Sequence, residues 1–164
     1  NGVHKLIQPL QKRLMSYTLK EAILKLENYC LYQNRCHSEV EQKLWDTETP
    51  QHLHDEVLLH LIQKDYLNEE RFAESFVRGK FSQKKWGRNK IKQHLKQKKV
   101  SEHCIKKGLQ EIDEGKYLNT LESLLEKKKS LVKGKNHFDK NAKIANYLIG
   151  KGYESNLVWE MLKG

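Results

Sequence analysis

At 164 residues, with 37% apolar and 32% charged side chains, the chain is long enough for one ordinary domain but lean in the material of a deep core. No run approaches the ~18 apolar residues of a membrane span, no signal-peptide apolar region stands near the start, and three cysteines (Cys30, Cys36, Cys104) without a CxxC spacing argue against a disulfide framework. A reducing cytoplasm is the expected compartment, and a net charge of +10 calls for an anionic partner.

Residues 1–16 carry Pro9 and no clean apolar period, which predicts a flexible N-terminal arm. Thr18 with Glu21 has the spacing of a capping box for a helix whose buried face is Leu19, Ala22, Ile23, Leu26 and Cys30. Ser38 with Glu41 predicts a second box and a short helix with Val40 and Leu44 inward. Thr49-Pro50 then offers an N-cap and a Pro at the first helical position of a third helix, which packs Leu53, Val57, Leu58, Leu61 and Ile62 and ends near Lys64.

The next stretch repeats the plan. Asn68 is the expected N-cap of a helix with Glu69 and Glu70 in its first turn and Phe72, Ala73, Phe76 and Val77 on one face. Ile91 and Leu95 form the thin apolar seam of a second helix. Ser101 caps a third, with Val100 and Ile105 spaced as a hydrophobic staple, and Cys104, Leu109 and Ile112 on the same face. Glu114-Gly115-Lys116 is the expected hinge, because Gly breaks a helix. Beyond it come a helix with Leu121, Leu124, Leu125 and Leu131, a loop at 133–136, and a closing pair built on Ile144, Tyr147, Leu148, then Val158, Trp159 and Leu162. Gly150-Lys151-Gly152 is the stop between the two.

Ile91, Leu95, Val100, Ile105 and Leu109 recur at an offset of 53 as Ile144, Leu148, Tyr153, Val158 and Leu162, and Tyr66-Leu67-Asn68 recurs at 51 as Tyr117-Leu118-Asn119. The expected fold is therefore all-α: three tandem three-helix repeats (17–64, 65–115 and 116–164) in an elongated, curved arrangement. Units that small bury only ~60% of their unfolded surface, which suits the lean composition. At roughly 25 Å per unit, three in line would reach ~75 Å.

The charge has an address. Between Arg78 and Lys107 stand twelve Lys or Arg residues against one acid, Glu102, while the rest of the chain is nearly balanced. Cations on one solvated helix face attract polyanions and release their counterions. Candidate contacts, chosen on charge, are Lys80, Lys84, Lys85, Arg88, Lys92 and Lys96. Trp86, at a bend, could stack on a base, dock into a partner or cover the helix junction. Cys36-His37 with His52 and His54 does not make a zinc site, since no second cysteine pair exists and His-x-His points to different helix faces. No metal, cofactor or catalytic residue is expected, because the basic segment lacks the clustered carboxylates of a nuclease and any Gly-rich phosphate loop.

The string Asn68-Glu69-Glu70-Arg71-Phe72-Ala73, then Phe76-Val77-Arg78, then Gly87-x-x-Lys90-Ile91-x-x-x-Leu95-x-x-Lys98, resembles the RecX regulators of bacterial recombination. So do His37-Ser38-Glu39 with Lys43-Leu44, and Lys143-Ile144 through Lys151-Gly152-Tyr153. The resemblance implies tandem three-helix units that lie along the groove of the RecA–DNA filament and suppress its ATPase, strand-exchange and co-protease activities. It implies no catalysis, a monomer, and weak binding to bare single- or double-stranded DNA. Arg71, Arg78, Lys90 and Lys98 are its motif positions suited to contact. The alternative is a helix-turn-helix-like DNA-binding protein acting without a recombinase. One departure stands out: the family has Lys-Gly before the third helix, and here Lys98-Lys99 takes that place in the middle unit. A left-handed stop is costly for Lys, which leaves the angle between those two helices open.

Overall fold

The computed structural model describes residues 19–164, and among them every regular element is helical. The arm at 1–16 and the Thr18 cap lie outside the described residues. A first helix, α1, runs through residues 19–32. It is followed by α2 (His37–Asp46), a 3-10 turn (Gln51–Leu53), α3 (His54–Gln63), α4 (Glu69–Lys84), α5 (Arg88–Gln97) and α6 (Glu102–Leu109). The last three are α7 (Glu114–Leu131), α8 (His137–Gly150) and α9 (Ser155–Lys163). The chain divides into two compact units, the first ending at Phe72 and the second beginning at Ala73, inside α4.

The first unit gathers Ala22, Leu26 and Cys30 of α1, Val40 and Leu44 of α2, Val57 and Leu61 of α3, and Leu67 into one core, with Leu19, Ile23 and Leu58 packed against it. Ile62 is not part of it and stays largely exposed. Two helix starts differ from expectation. The α2 N-cap is Cys36, not Ser38, and the Glu39 carboxylate accepts from the Cys36 N–H at 3.1 Å. Cys36 and Glu39 share the three-residue spacing of Ser38 and Glu41, and the fully buried thiol fixes the register. Thr49 is not the cap of α3. It closes the α2 turn, Pro50 leads into the 3-10 turn, and α3 starts only at His54. His54 Nε2 donates to the Thr49 carbonyl at 2.8 Å, tying the two ends together.

In the second unit Ala73, Val77, Ile91, Leu95, Val100 and Ile105 are buried, as the apolar spacing requires. Ser101 Oγ accepts from the Cys104 N–H and caps α6. Gly108 lets α6 close on α4, since a Cβ there would stand 2.9 Å from the Ala73 carbonyl oxygen. A further core joins Tyr117, Leu121 and Leu125 of α7, Ile144, Ala145 and Leu148 of α8, and Tyr153 and Val158. The expected hinge at 114–116 is instead the first turn of α7. Asp113 caps it by accepting from the Lys116 N–H at 2.9 Å, and Gly115 sits where few intrahelical bonds are yet at stake. The recurrence of Tyr66-Leu67-Asn68 therefore stops at the sequence: Asn68 accepts from the Arg71 N–H at the start of α4, while Asn119 lies within α7. Leu131 is exposed rather than buried, and Tyr147 is partly so.

One turn recurs four times: once at the end of α3, where Asp65 (φ 60°) donates to Ile62 and the Tyr66 N–H reaches back to Leu61 at 2.8 Å, and at three further helix ends. At the ends of α2, α5 and α8 the residues Glu48, Lys99 and Gly152 adopt left-handed φ values of 55°, 61° and 107°. In each, the next N–H reaches back five residues: Thr49 to Leu44, Val100 to Leu95 and Tyr153 to Leu148, at 3.0–3.1 Å. The left-handed residue itself donates three back, to Trp45, Lys96 and Ile149. These are Schellman stops, and the residues that close them (Thr49, Val100, Tyr153) are buried with the leucines they bond. Lys99 thus adopts the same turn as Gly152.

Candidate functional site

The end of α4, the following bend and the start of α5 are built around two close approaches. Gly87 N donates to the Lys151 carbonyl and Asn89 N to the Gly152 carbonyl, both at 2.9 Å. The first turn of α5 thereby satisfies orphan donors on the backbone of the α8–α9 turn. A Cβ on Gly87 would stand 2.2 Å from the Gly152 carbonyl carbon, and one on Gly152 would stand 2.5 Å from the Lys90 Cβ. Tyr153 donates its hydroxyl to the Lys85 carbonyl at 2.7 Å.

Arg88 completes this seam. Its guanidinium donates to Glu154 at 2.6 Å and also to Glu114, and lies 3.8 Å from the centre of the Tyr117 ring. Tyr117 accepts from the Arg88 N–H at 3.1 Å and donates to the other Glu154 oxygen. Burial, then the bond to Glu154, pushes the Tyr117 hydroxyl far above its ordinary range.

The arginines among the candidate residues share this behaviour. Arg71, in the first unit, clasps the left-handed turn at Asp65 through the Asp65 carboxylate (3.0 Å) and carbonyl (2.9 Å), and also holds Asn34 at 3.2 Å. Arg78 pairs with Glu111 at 3.2 Å. A planar fork suits the multi-point grips that Arg71 and Arg88 make on the protein itself, whereas Arg78 makes one ion pair and stays half exposed.

The lysines face outward, but not on one side. On α5, Lys90, His94 and Lys98 follow at i, i+4 and i+8 along one flank of the Ile91–Leu95 seam, and Lys92 and Lys96 follow along the other. The single cationic face expected from sequence is therefore two flanks. On the second, Lys96 meets Glu102 at 3.7 Å. Lys84 is exposed at the end of α4, and Lys85, also exposed, holds a left-handed stop at φ 57°.

The first flank converges on Trp86. The Trp86 backbone N–H donates to the Lys80 carbonyl at 3.1 Å, which fixes the bend that carries the ring. Lys80 Nζ lies 5.0 Å and Lys90 Nζ 4.5 Å from the ring centre, and the His94 ring packs 4.5 Å away. Burial, then the ammoniums of Lys90, Lys80 and Lys98, hold His94 below the usual imidazole range. Sequence reasoning named Trp86 and its lysines but missed His94, whose signal was its four-residue spacing from Lys90 and Lys98. It also missed Tyr117, Glu114 and Glu154, which no local pattern marks. Among the described residues no three His, Cys, Asp or Glu side chains gather as a metal site would require, and no helix is long and apolar enough to cross a membrane.

An all-helical protein of tandem three-helix domains is what these elements define. Residues 68–109 match the second three-helix domain of RecX and residues 116–162 the third. The chain belongs to the RecX family. It is 29% identical over 145 residues to the regulatory protein RecX of Bacillus cytotoxicus and 28% identical to that of Bacillus mycoides, in each case over 88% of this chain and 54% of the relative. The chain thus spans about half the length of these curated relatives. Its fold superposes on the crystal structure of RecX from Lactobacillus salivarius with a TM-score of 0.81 at 24% identity, over 90% of this chain and 96% of that one. A second RecX crystal structure gives 0.83 at 24% identity, over 94% of this chain and 77% of the other.

Proposed function

We propose that this chain regulates the RecA recombinase by binding along the groove of the RecA–DNA filament and suppressing its ATPase, strand-exchange and co-protease activities. The observation that carries this reading is the match of two successive stretches to two successive RecX domains. The lysine flanks of α5 supply the complementary charge for a nucleoprotein fibre. The mode of action is steric and electrostatic rather than catalytic, the protein acts as a cytoplasmic monomer, and it holds bare DNA only weakly. Three units, 17–64, 65–115 and 116–164, would each touch the fibre and gain affinity from linked weak contacts.

The test is the ATPase of RecA on single-stranded DNA, with and without stoichiometric protein. Inhibition is expected; unchanged hydrolysis removes the reading. Tight, sequence-selective binding to naked duplex would instead favour a DNA-binding protein that needs no recombinase.

A further inference from the structure

We infer that Lys80, Lys90 and His94, gathered on the ring of Trp86, form a phosphate-binding point for single-stranded nucleic acid. This deepens the reading above by naming the flank and the ligand chemistry, and it rests on that reading's DNA-containing target.

The two ammoniums lie 5.0 and 4.5 Å from one ring centre and so no more than 9.5 Å apart. That upper bound is comparable to the Debye length of about 8–10 Å at 0.1–0.15 M salt, so their repulsion is only partly screened. The electron-rich faces of Trp86 and of Phe76, which lies 5.4 Å from Lys80 Nζ, hold them there. The charged groups acting on His94 are Lys90 and Lys98 from α5 and Lys80 from α4, all cations. Glu102, the one acid of the 78–107 segment, pairs on the opposite flank. An anion arriving between these groups relieves a repulsion already present in the free protein.

Phosphodiester fits better than carboxylate. Lys ammoniums and a protonated imidazole donate to its oxygens, and a single strand brings an unstacked base that can lie against the partly buried indole. A duplex keeps its bases paired and offers the ring nothing. Burial and then the neighbouring ammoniums hold His94 below the usual imidazole range, and a bound phosphate favours the protonated ring, so affinity rises as pH falls.

Anisotropy of a labelled oligothymidylate with the full chain at low salt, from pH 7.5 to 5.5, tests this. Trp86→Ala and the pair Lys80→Gln with Lys90→Gln are each expected to weaken binding ~10-fold, and the pair to flatten the log–log salt slope by roughly 1.4. Trp86→Phe keeps affinity within about 3-fold, which separates loss of the ring from loss of the fold. His94→Gln removes the gain on acidification. Lys92→Gln with Lys96→Gln costs less than the Lys80 and Lys90 pair.

The inference is overturned if the Lys92 and Lys96 pair costs more, or if the Lys80 and Lys90 pair leaves oligothymidylate binding unchanged. It is equally overturned if the cluster variants lose poly-glutamate binding but keep the oligonucleotide, which would assign the site to an acidic protein surface. The two readings fail separately. A RecA ATPase left uninhibited by a protein whose Trp86 governs strand binding removes the partner and keeps the site. Full inhibition by cluster variants whose strand binding is also unchanged removes the site and keeps the partner.

Discussion

The turns that end α5 and α8 have the same hydrogen bonds, the same buried closing residue and the same left-handed position, yet one places Lys99 there and the other Gly152. Left-handed φ alone does not explain the glycine, because Lys99 adopts it at φ 61°. What differs is the surroundings. Lys99 is exposed, whereas Gly152 lies under the first turn of α5, with Gly87 and Lys90 too near for a side chain. Gly87 itself has an ordinary extended backbone (φ −77°, ψ 166°), so its lack of a Cβ is needed for space alone. The two glycines form one contact, and the third-domain turn is glycine because another helix docks on it.

The largest effect should come from breaking that dock. Gly87→Ala places a methyl 2.2–2.3 Å from three backbone atoms of Gly152 and Tyr153, none of which can swing aside. The expected cost is about 3 kcal/mol, at the upper end for overpacking, which lowers the melting temperature by roughly 6–12 °C for a chain of this size. Gly79→Ala is the internal contrast: nothing lies within 4 Å of a Cβ there, and it sits inside α4. That change should raise stability by about 0.5–1 kcal/mol. A Gly87→Ala protein that melts within 2 °C of the parent, a margin of about 1 kcal/mol or less, would mean the two turns are not in contact.

Arg88→Ala sharpens the comparison by removing the ionic half of the seam. Side chains of Arg88 and Glu154 are 24% and 23% exposed, so screening is partial, while Glu114 at 65% contributes little. A loss of about 2 kcal/mol is expected, most of it from leaving one oxygen of the Glu154 carboxylate without its guanidinium donor while Tyr117 keeps the other. A double-mutant cycle with Glu154→Gln should return a coupling above ~1 kcal/mol, and one with Glu114→Gln roughly 0.5 or less. Equal couplings would show that the exposed carboxylate matters as much as the half-buried one.

How far all this was legible follows from the range of each interaction. Helix faces such as Ile91–Leu95 and Ile144–Leu148 were readable because 3.6-residue periodicity is local, and so were the Ser101 cap and the Val100–Ile105 staple. Start positions were harder wherever two residues competed for one role. Cys36-x-x-Glu39 and Ser38-x-x-Glu41 have equal spacing, and burial of a thiol, which sequence does not display, decided between them. Gly115 looked like a break because a glycine in a helix start and one in a hinge are the same letter; Asp113 two residues earlier was the missed signal. The arginine network was beyond reach, since Arg88 finds partners 26 and 66 residues away and one sequence carries no record of such pairing. Charge composition marks the segment but carries no sign that Arg78 and Arg88 are engaged in ion pairs within the protein.

The smallest effect has the opposite sign. If Lys99 holds a left-handed conformation that glycine would hold without steric cost, Lys99→Gly should stabilise. Relief of ~1–2 kcal/mol of backbone crowding is set against the ~0.5–1 kcal/mol by which glycine frees the unfolded chain. The net gain is about 0.5–1 kcal/mol, or some 2 °C in melting temperature. No contact is lost in the exchange, because the turn's bonds are made by backbone atoms of Lys99, Val100, Leu95 and Lys96. The reciprocal change, Gly152→Ala, should cost more than this backbone term alone, because the new methyl meets both strain and Lys90. Were the two substitutions mirror images in magnitude, φ would be the whole explanation and the docked helix would contribute nothing; an excess at Gly152 measures the docking itself.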